Sequence, residues 1–187
     1  MKKKLLIWLT SDFTHFCISY YLQKFTDYEL YAIIDITNKP KDFFEKQDLV
    51  KFKKIWFFHN HIPNNLKNPD LEYLSNFEKK YDVNLWNLAI NERIFYKFFN
   101  FHKFTREEIL KIDESSCKLF EQIIDEINPD YFITKLTGFH HLEILYKMCK
   151  KLNIKTLMLN VPKIGFKCII SDESGKLDFI SKLEHDP

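Results

Sequence analysis

Glycine is scarce in this chain, with three residues in 187. That scarcity excludes a Gly-rich phosphate cradle. Neither GxGxxG nor GxxxxGK[ST] occurs, which removes the nicotinamide fingerprint and the P-loop. It also argues against an all-β fold built on many tight turns. The four cysteines (Cys17, Cys117, Cys149, Cys168) lie far apart and form no CxxC. A zinc site needs closely spaced ligand pairs, so no metal site is expected. Free, mostly buried thiols suit a reducing cytosol. No apolar run approaches the length of a membrane-spanning helix. Leu5 to Leu9 is too short for a signal sequence and runs into polar Thr10-Ser11-Asp12. A cytoplasmic chain without an integral membrane segment is expected. The net charge of +2 leaves no electrostatic footprint for nucleic acid.

What is abundant is aromatic: nineteen Phe and nine Tyr. Together with many Lys, Asn and Ile, this composition follows from an AT-rich coding bias, and the rings mostly fall at core spacing rather than as a stacking surface for RNA. At 45% hydrophobic and 29% charged residues, the chain has a globular composition and enough length for one domain with a substantial core.

Strand and helix patterns alternate. Leu5 to Leu9 is a continuous apolar run, as expected of a strand buried on both faces. A polar loop and a helical pattern from His15 to Phe25 follow. Tyr28 to Ile36 and Lys54 to His59 read as further strands, and Asp42 to Val50 as a short helix. Asn68 as cap with Pro69 at the first helical position opens a helix to about Tyr81. Val83 to Ile90 fits either strand or helix. Thr105-Arg-Glu-Glu108 has capping-box form and starts a long amphipathic helix that ends at Asn128-Pro129. Tyr131 to Leu136 and Ile154 to Val161 are strands flanking a helix from Phe139 to Leu152. Phe166 to Gly175 reads as a last strand and turn, and Leu177 to Ile180 as a short apolar segment. The fold class is α/β: a three-layer α/β/α sandwich with a mainly parallel, Rossmann-like sheet.

In such sheets ligands bind beyond the carboxyl ends of the strands. The loops there are Thr10 to His15, Thr37 to Pro40, His59 to Asn65, and those after the last two long strands. Candidate catalytic residues are Asp12, His15, His59 and Glu92, as bases for a hydroxyl. Candidate substrate-binding residues are Ser11, Thr14, Arg93, Thr137, His140, Asn160 and Lys163. Each has a bland alternative. Ser11, Asp12 and Thr14 also serve as helix caps. His59-Asn60-His61, if extended, aims two imidazoles the same way, or forms a solvated loop. Glu92-Arg93 is either a site or an ordinary surface ion pair. Of His140 and His141, one is expected to be buried and one solvated. A helix N-terminus would keep His141 neutral.

From Leu85 onward the order of features resembles a known family. Leu88-Ala-Ile-Asn-Glu-Arg93 precedes the long helix. Ile127-Asn-Pro-Asp-Tyr-Phe-Ile133, Leu145-Tyr-Lys-Met-Cys-Lys-Lys-Leu-Asn-Ile154 and Pro162-Lys-Ile-Gly-Phe-Lys167 follow in turn. The pattern is similar to the N-terminal half of capsular polysaccharide and surface carbohydrate biosynthesis proteins, which are GT-B glycosyltransferase-like. Lys163 stands where arginine is usual, and Asn153 where glycine is common.

The resemblance implies that residues 1–187 form one Rossmann-like domain, the N-terminal half of a two-domain protein. It implies a glycan or sugar acceptor on this domain and no cofactor bound by it. A nucleotide-sugar donor would be held by a second Rossmann-like domain or a like subunit, at the inner face of the membrane. No DxD metal pair is present or needed. The rival reading is a non-catalytic, flavodoxin-like binding or interaction module.

Overall fold

The computed structural model describes residues 2–37, 39–97, 100–160 and 169–173, with backbone alone at 39, 40 and 160. Among the described residues six strands form one sheet: β1 Lys4–Leu9, β2 Glu29–Ile34, β3 Lys54–Phe57, β4 Tyr131–Lys135, β5 Lys155–Asn160 and β6 Ile169–Ser171. Their order is β3-β2-β1-β4-β5-β6. The first five are parallel and β6 runs antiparallel to β5. The architecture is therefore the mainly parallel, Rossmann-like sandwich that the alternating pattern implies.

Seven helices are described: α1 Thr14–Phe25, α2 Lys39–Lys46, α3 Leu71–Tyr81, α4 Leu85–Ile90, α5 Arg93–Tyr96, α6 Arg106–Ile127 and α7 His140–Lys151. The period-two geometry of β1 explains how they are divided. Leu5, Ile7 and Leu9 face one side, with Phe16 of α1 and Phe44 of α2. Leu6 and Trp8 face the other, with Leu74 and Phe77 of α3, Phe120 and Ile123 of α6, and Leu142 and Leu145 of α7. All five β1 core residues from Leu5 to Leu9 are buried, so both faces of the strand lie in apolar cores. That is why this stretch shows no polar alternation.

Local chemistry sets the element ends. Thr105 and Glu108 form a reciprocal capping box at the start of α6. Asn128 closes that helix with φ 45°, the left-handed conformation Asn tolerates. Asp130 then accepts a hydrogen bond from the Lys4 backbone N–H at 2.8 Å, which ties the entry of β4 to β1. Asn153, at the exit of α7, has φ 58°; its left-handed backbone explains why glycine suits such a position.

Several elements differ from the sequence reading. β3 ends at Phe57, and Phe58–His61 is a 3₁₀ turn rather than extended chain, so His59 and His61 do not alternate as on a strand. The cap of α3 is Asp70, whose carboxylate accepts from Tyr73 N–H, while Asn68 takes φ 53° instead. The ambiguous 83–90 segment is helical from Leu85, capped by Asn84. The second helix starts and stops earlier, at Lys39–Lys46. Of the final strand and turn, Ile169–Ser171 is strand; the short apolar segment at 177–180 lies outside the described residues. Among the described residues, no helix is long and apolar enough to cross a membrane.

Candidate functional site

Connections from β1 run outward through β2 to β3, then return across the sheet to β4. The order thus reverses between β1 and β4, where the loops at the carboxyl ends part and leave a crevice. A cavity of about 410 Å³ lies there. That is within the ~300–1,000 Å³ typical of small-molecule sites. Thr10 and Ser11 reach it from the end of β1, Asp35 from β2, Phe58 and His59 from β3, Lys135 from β4, and His140 and His141 from the start of α7. Glu92 reaches it from the start of α5, and the rest of its wall is apolar, including Ile94 and Phe95 of α5, Phe104, Ile112 of α6 and Phe139.

Asp35 organises the polar part. Its Oδ1 lies 2.9 Å from His59 Nε2 and its Oδ2 3.2 Å from His141 Nε2. Burial would raise its pKa, but the hydrogen bonds from His141 and His59 outweigh that and hold the carboxyl well below the usual range. An ionised carboxylate accepts from N–H, so each ring presents an Nε2–H to Asp35.

The two rings differ in freedom. His141 is stacked on Phe58 at 4.6 Å and near Phe139 at 5.7 Å, with Trp8 at 5.5 Å. Burial pushes its pKa down despite Asp35. His59 has a side chain 43% exposed. The locked His141 thus orients Asp35, and Asp35 orients the accessible His59. This is the base-plus-orienter arrangement of an acid–base site.

A second carboxylate–imidazole group adjoins the first. Glu92 caps α5 by accepting from Ile94 N–H, and also accepts from the His140 backbone N–H at 2.9 Å. Burial opposes its ionisation, but His140 and these backbone donors outweigh it and lower its pKa to about 2. The His140 ring sits between two carboxylates: Nδ1 is 3.5 Å from Glu92 Oε2 and Nε2 is 3.2 Å from Asp113 Oδ1. Neither contact is aligned as a hydrogen bond. Burial would lower the His140 pKa, but Asp113 and Glu92 raise it. Burial raises Asp113 as well. Both directions agree that the pair binds its proton more tightly than the separate groups would.

Of the residues singled out by sequence, Ser11, His59, Glu92 and His140 meet in this cavity. Thr137 lines an adjoining pocket of about 320 Å³ that shares Glu92, Phe139 and His140 with it. The other candidates lie elsewhere. Asp12 accepts from both the backbone N–H and the hydroxyl of Thr14, which lowers its pKa and commits the two residues to each other at the start of α1. His15 is buried in α1, where burial lowers its pKa. Arg93 is exposed on α5 and outside the lining of both pockets. The side chain of Asn160 and the whole of Lys163 lie outside the described residues.

Glu92-Arg93 is not a surface ion pair. Ala89 and Phe95 are buried with Ile109, and the turn between them brings Glu92 inward while Arg93 stays out. His140 and His141 are both largely buried, rather than one being solvated.

Asp35 and Asp113 were not among the sequence candidates, yet both leave a trace. Asp35 is a lone carboxylate at the carboxyl end of an apolar strand. Asp113 falls in the apolar stripe of α6, in phase with Ile109, Cys117 and Phe120. A charge in a core phase is a signal of function, because burial costs several kcal/mol unless it is compensated. Among the described residues no group of three or more His, Cys, Asp or Glu is arranged to hold a metal ion. No protein-family model matches the chain, and no curated protein matches it.

Proposed function

We propose that this chain is the acceptor-side domain of a glycosyltransferase-like protein of surface or capsular polysaccharide biosynthesis, acting in the cytoplasm at the inner face of the membrane. The observation that carries the reading is the Asp35–His59 pair on a cavity at the topological switch point. The ligand is a sugar: its C–H face rests on Phe58, Phe95 or Phe139, and a hydroxyl meets His59. In transfer, the hydroxyl proton passes to Nδ1 of His59. The freed oxygen lone pair forms the new bond to the anomeric carbon of a nucleotide sugar, and the bond to the diphosphate breaks with its electrons on the diphosphate. The donor is held by a second Rossmann-like domain or a like subunit.

The test is chemical-shift mapping with a panel of p-nitrophenyl hexopyranosides. Shifts confined to the backbone amides of residues 10–11, 58–59, 92–95 and 139–141 are expected, and His59→Gln is expected to lower transfer about 10²–10⁴-fold where donor and transfer activity are supplied. A panel that shifts none of these amides sinks the reading.

One observation favours the rival interaction module. Ile94 and Phe139 are 52% and 43% exposed on the cavity wall, and Ile90 and Tyr96 are exposed in the adjoining α4 and α5. Light scattering that finds a dimer disrupted by Ile94→Asp, with no sugar response, selects that reading.

A further inference from the structure

Asp113 is fully buried in α6, and neither of its oxygens has an aligned hydrogen bond. It does not line the cavity. Its charged neighbour is His140, which does, and whose backbone N–H grips Glu92. A purely structural core has no use for this arrangement, since a well-packed apolar pair in place of a buried ion pair is often as stable or more so. The chain of contacts Asp113–His140–Glu92 runs from the interior to the cavity wall, as an outer partner orients a residue that meets a ligand.

We propose that Asp113 is a positioning residue that acts through His140 to fix Glu92 as a carboxylate acceptor on the cavity wall. Glu92 also fills the N-terminus of α7, the place where an anionic ligand group would otherwise bind. The cavity therefore offers two fixed acceptors, Asp35–His59 and Glu92, and suits a ligand that presents hydrogen-bond donors to both. That describes a polyhydroxylated ring and disfavours a phosphate or carboxylate at the start of α7, with Lys135 the cation elsewhere in the lining. This inference rests on the reading of the cavity as a ligand site.

The groups facing His140 are Glu92 at the start of α5, Asp113 of α6 and His141 of its own helix, with Glu78 of α3 adding negative charge near Asp113. The experiment compares the wild-type chain with Asp113→Asn, using Ser116→Ala, a buried neighbour on α6, as control. Imidazole ¹⁵N shifts read the protonation of His140, and side-chain carboxyl ¹³C shifts read the titration of Glu92. In Asp113→Asn, His140 is expected to lose its proton at a lower pH, and Glu92 to titrate nearer 4.5 than its wild-type value of about 2. Affinity for whichever p-nitrophenyl hexopyranoside binds is expected to fall about tenfold, while Ser116→Ala changes none of these. Inorganic phosphate is the counter-probe and is expected to leave residues 92 and 140–141 unshifted.

Unchanged His140 and Glu92 titrations in Asp113→Asn overturn the proposal. If that variant does not fold, His140→Asn breaks the same link, and failure of both to fold makes the pair structural and also overturns it. A wild-type chain that binds no hexopyranoside defeats the sugar-site reading instead, and the two titrations still decide the role of Asp113.

Discussion

His140 and His141 are adjacent in sequence, yet their environments push them in opposite directions. His141 is pushed down by burial in an aromatic stack, with Asp35 only partly opposing. His140 is equally buried, but two carboxylates reverse the effect and raise it. At about pH 6.5, the ordinary imidazole midpoint, His140 is expected to be an imidazolium while His141 is neutral with its proton on Nε2. Side-chain ¹⁵N spectra check this, and two rings titrating together would contradict it. The position of His141 in a first helical turn was legible, but the burial that lowers its pKa was not. Nor was its partner, because Asp35 lies 106 residues away and only the fold brings them together. Removing Asp35 strands both rings: Asp35→Ala is expected to cost about 2–3 kcal/mol of stability in denaturant titration. His59→Gln, at an exposed ring, is expected to stay within about 0.5 kcal/mol.

Helix termini were read best where a side chain answers the backbone locally. Thr105 and Glu108 satisfy each other's N–H groups within four residues, so the start of α6 is written in the sequence and found in the structure. Thr105→Ala is expected to lower stability by about 1 kcal/mol, measured by chemical denaturation, and a Thr105→Ser variant to recover most of it. Other boundaries depend on partners elsewhere. Asp70 caps α3 while its own N–H is held by Glu114 of α6 at 2.8 Å, which displaces the cap from Asn68. The 85–90 segment fits two periods, and helix wins because Glu78 of α3 accepts from the Leu85 N–H at 2.7 Å while Leu85 and Ala89 bury on one side. The 3₁₀ turn after β3 has the same cause: Phe58 packs into the core with Trp8 and Phe120, which turns the chain and leaves His59 on Asp35. Position along a strand was therefore a good guide to which loops meet, and a poor guide to which side chains within a loop face inward.

Across the molecule, the ionisable groups are shifted so that acid is expected to destabilise it in two stages. His15, His61 and His141 are all pushed down by burial, so in the folded state they resist protonation. As pH falls below about 6.5 the unfolded chain binds these protons first. Stability therefore drops from that point until the folded pKa values are passed, by at most about 1.4 kcal/mol per pH unit for each group. His140 does not add to this slope: its folded pKa is raised, so its contribution is complete below about 6.5 and is lost only as pH rises through the folded value. The carboxylates form the second stage. Asp35, Glu92 and Glu114 are all lowered, the last two to about 2. Their stabilisation is complete above about 4.5 and disappears as pH falls toward those values. Thermal unfolding from pH 8 to 3 is expected to show a melting temperature that declines first as pH falls below about 6.5 and again below about 4.5. His15→Leu isolates the first stage. It removes a buried imidazole whose Nε2 has no hydrogen-bond partner and which is not part of the cavity lining, so its slope below about pH 6.5 is expected to become shallower while the slope below about pH 4.5 stays as it was. An unaltered upper slope in that variant would move the acid sensitivity to His61 and His141.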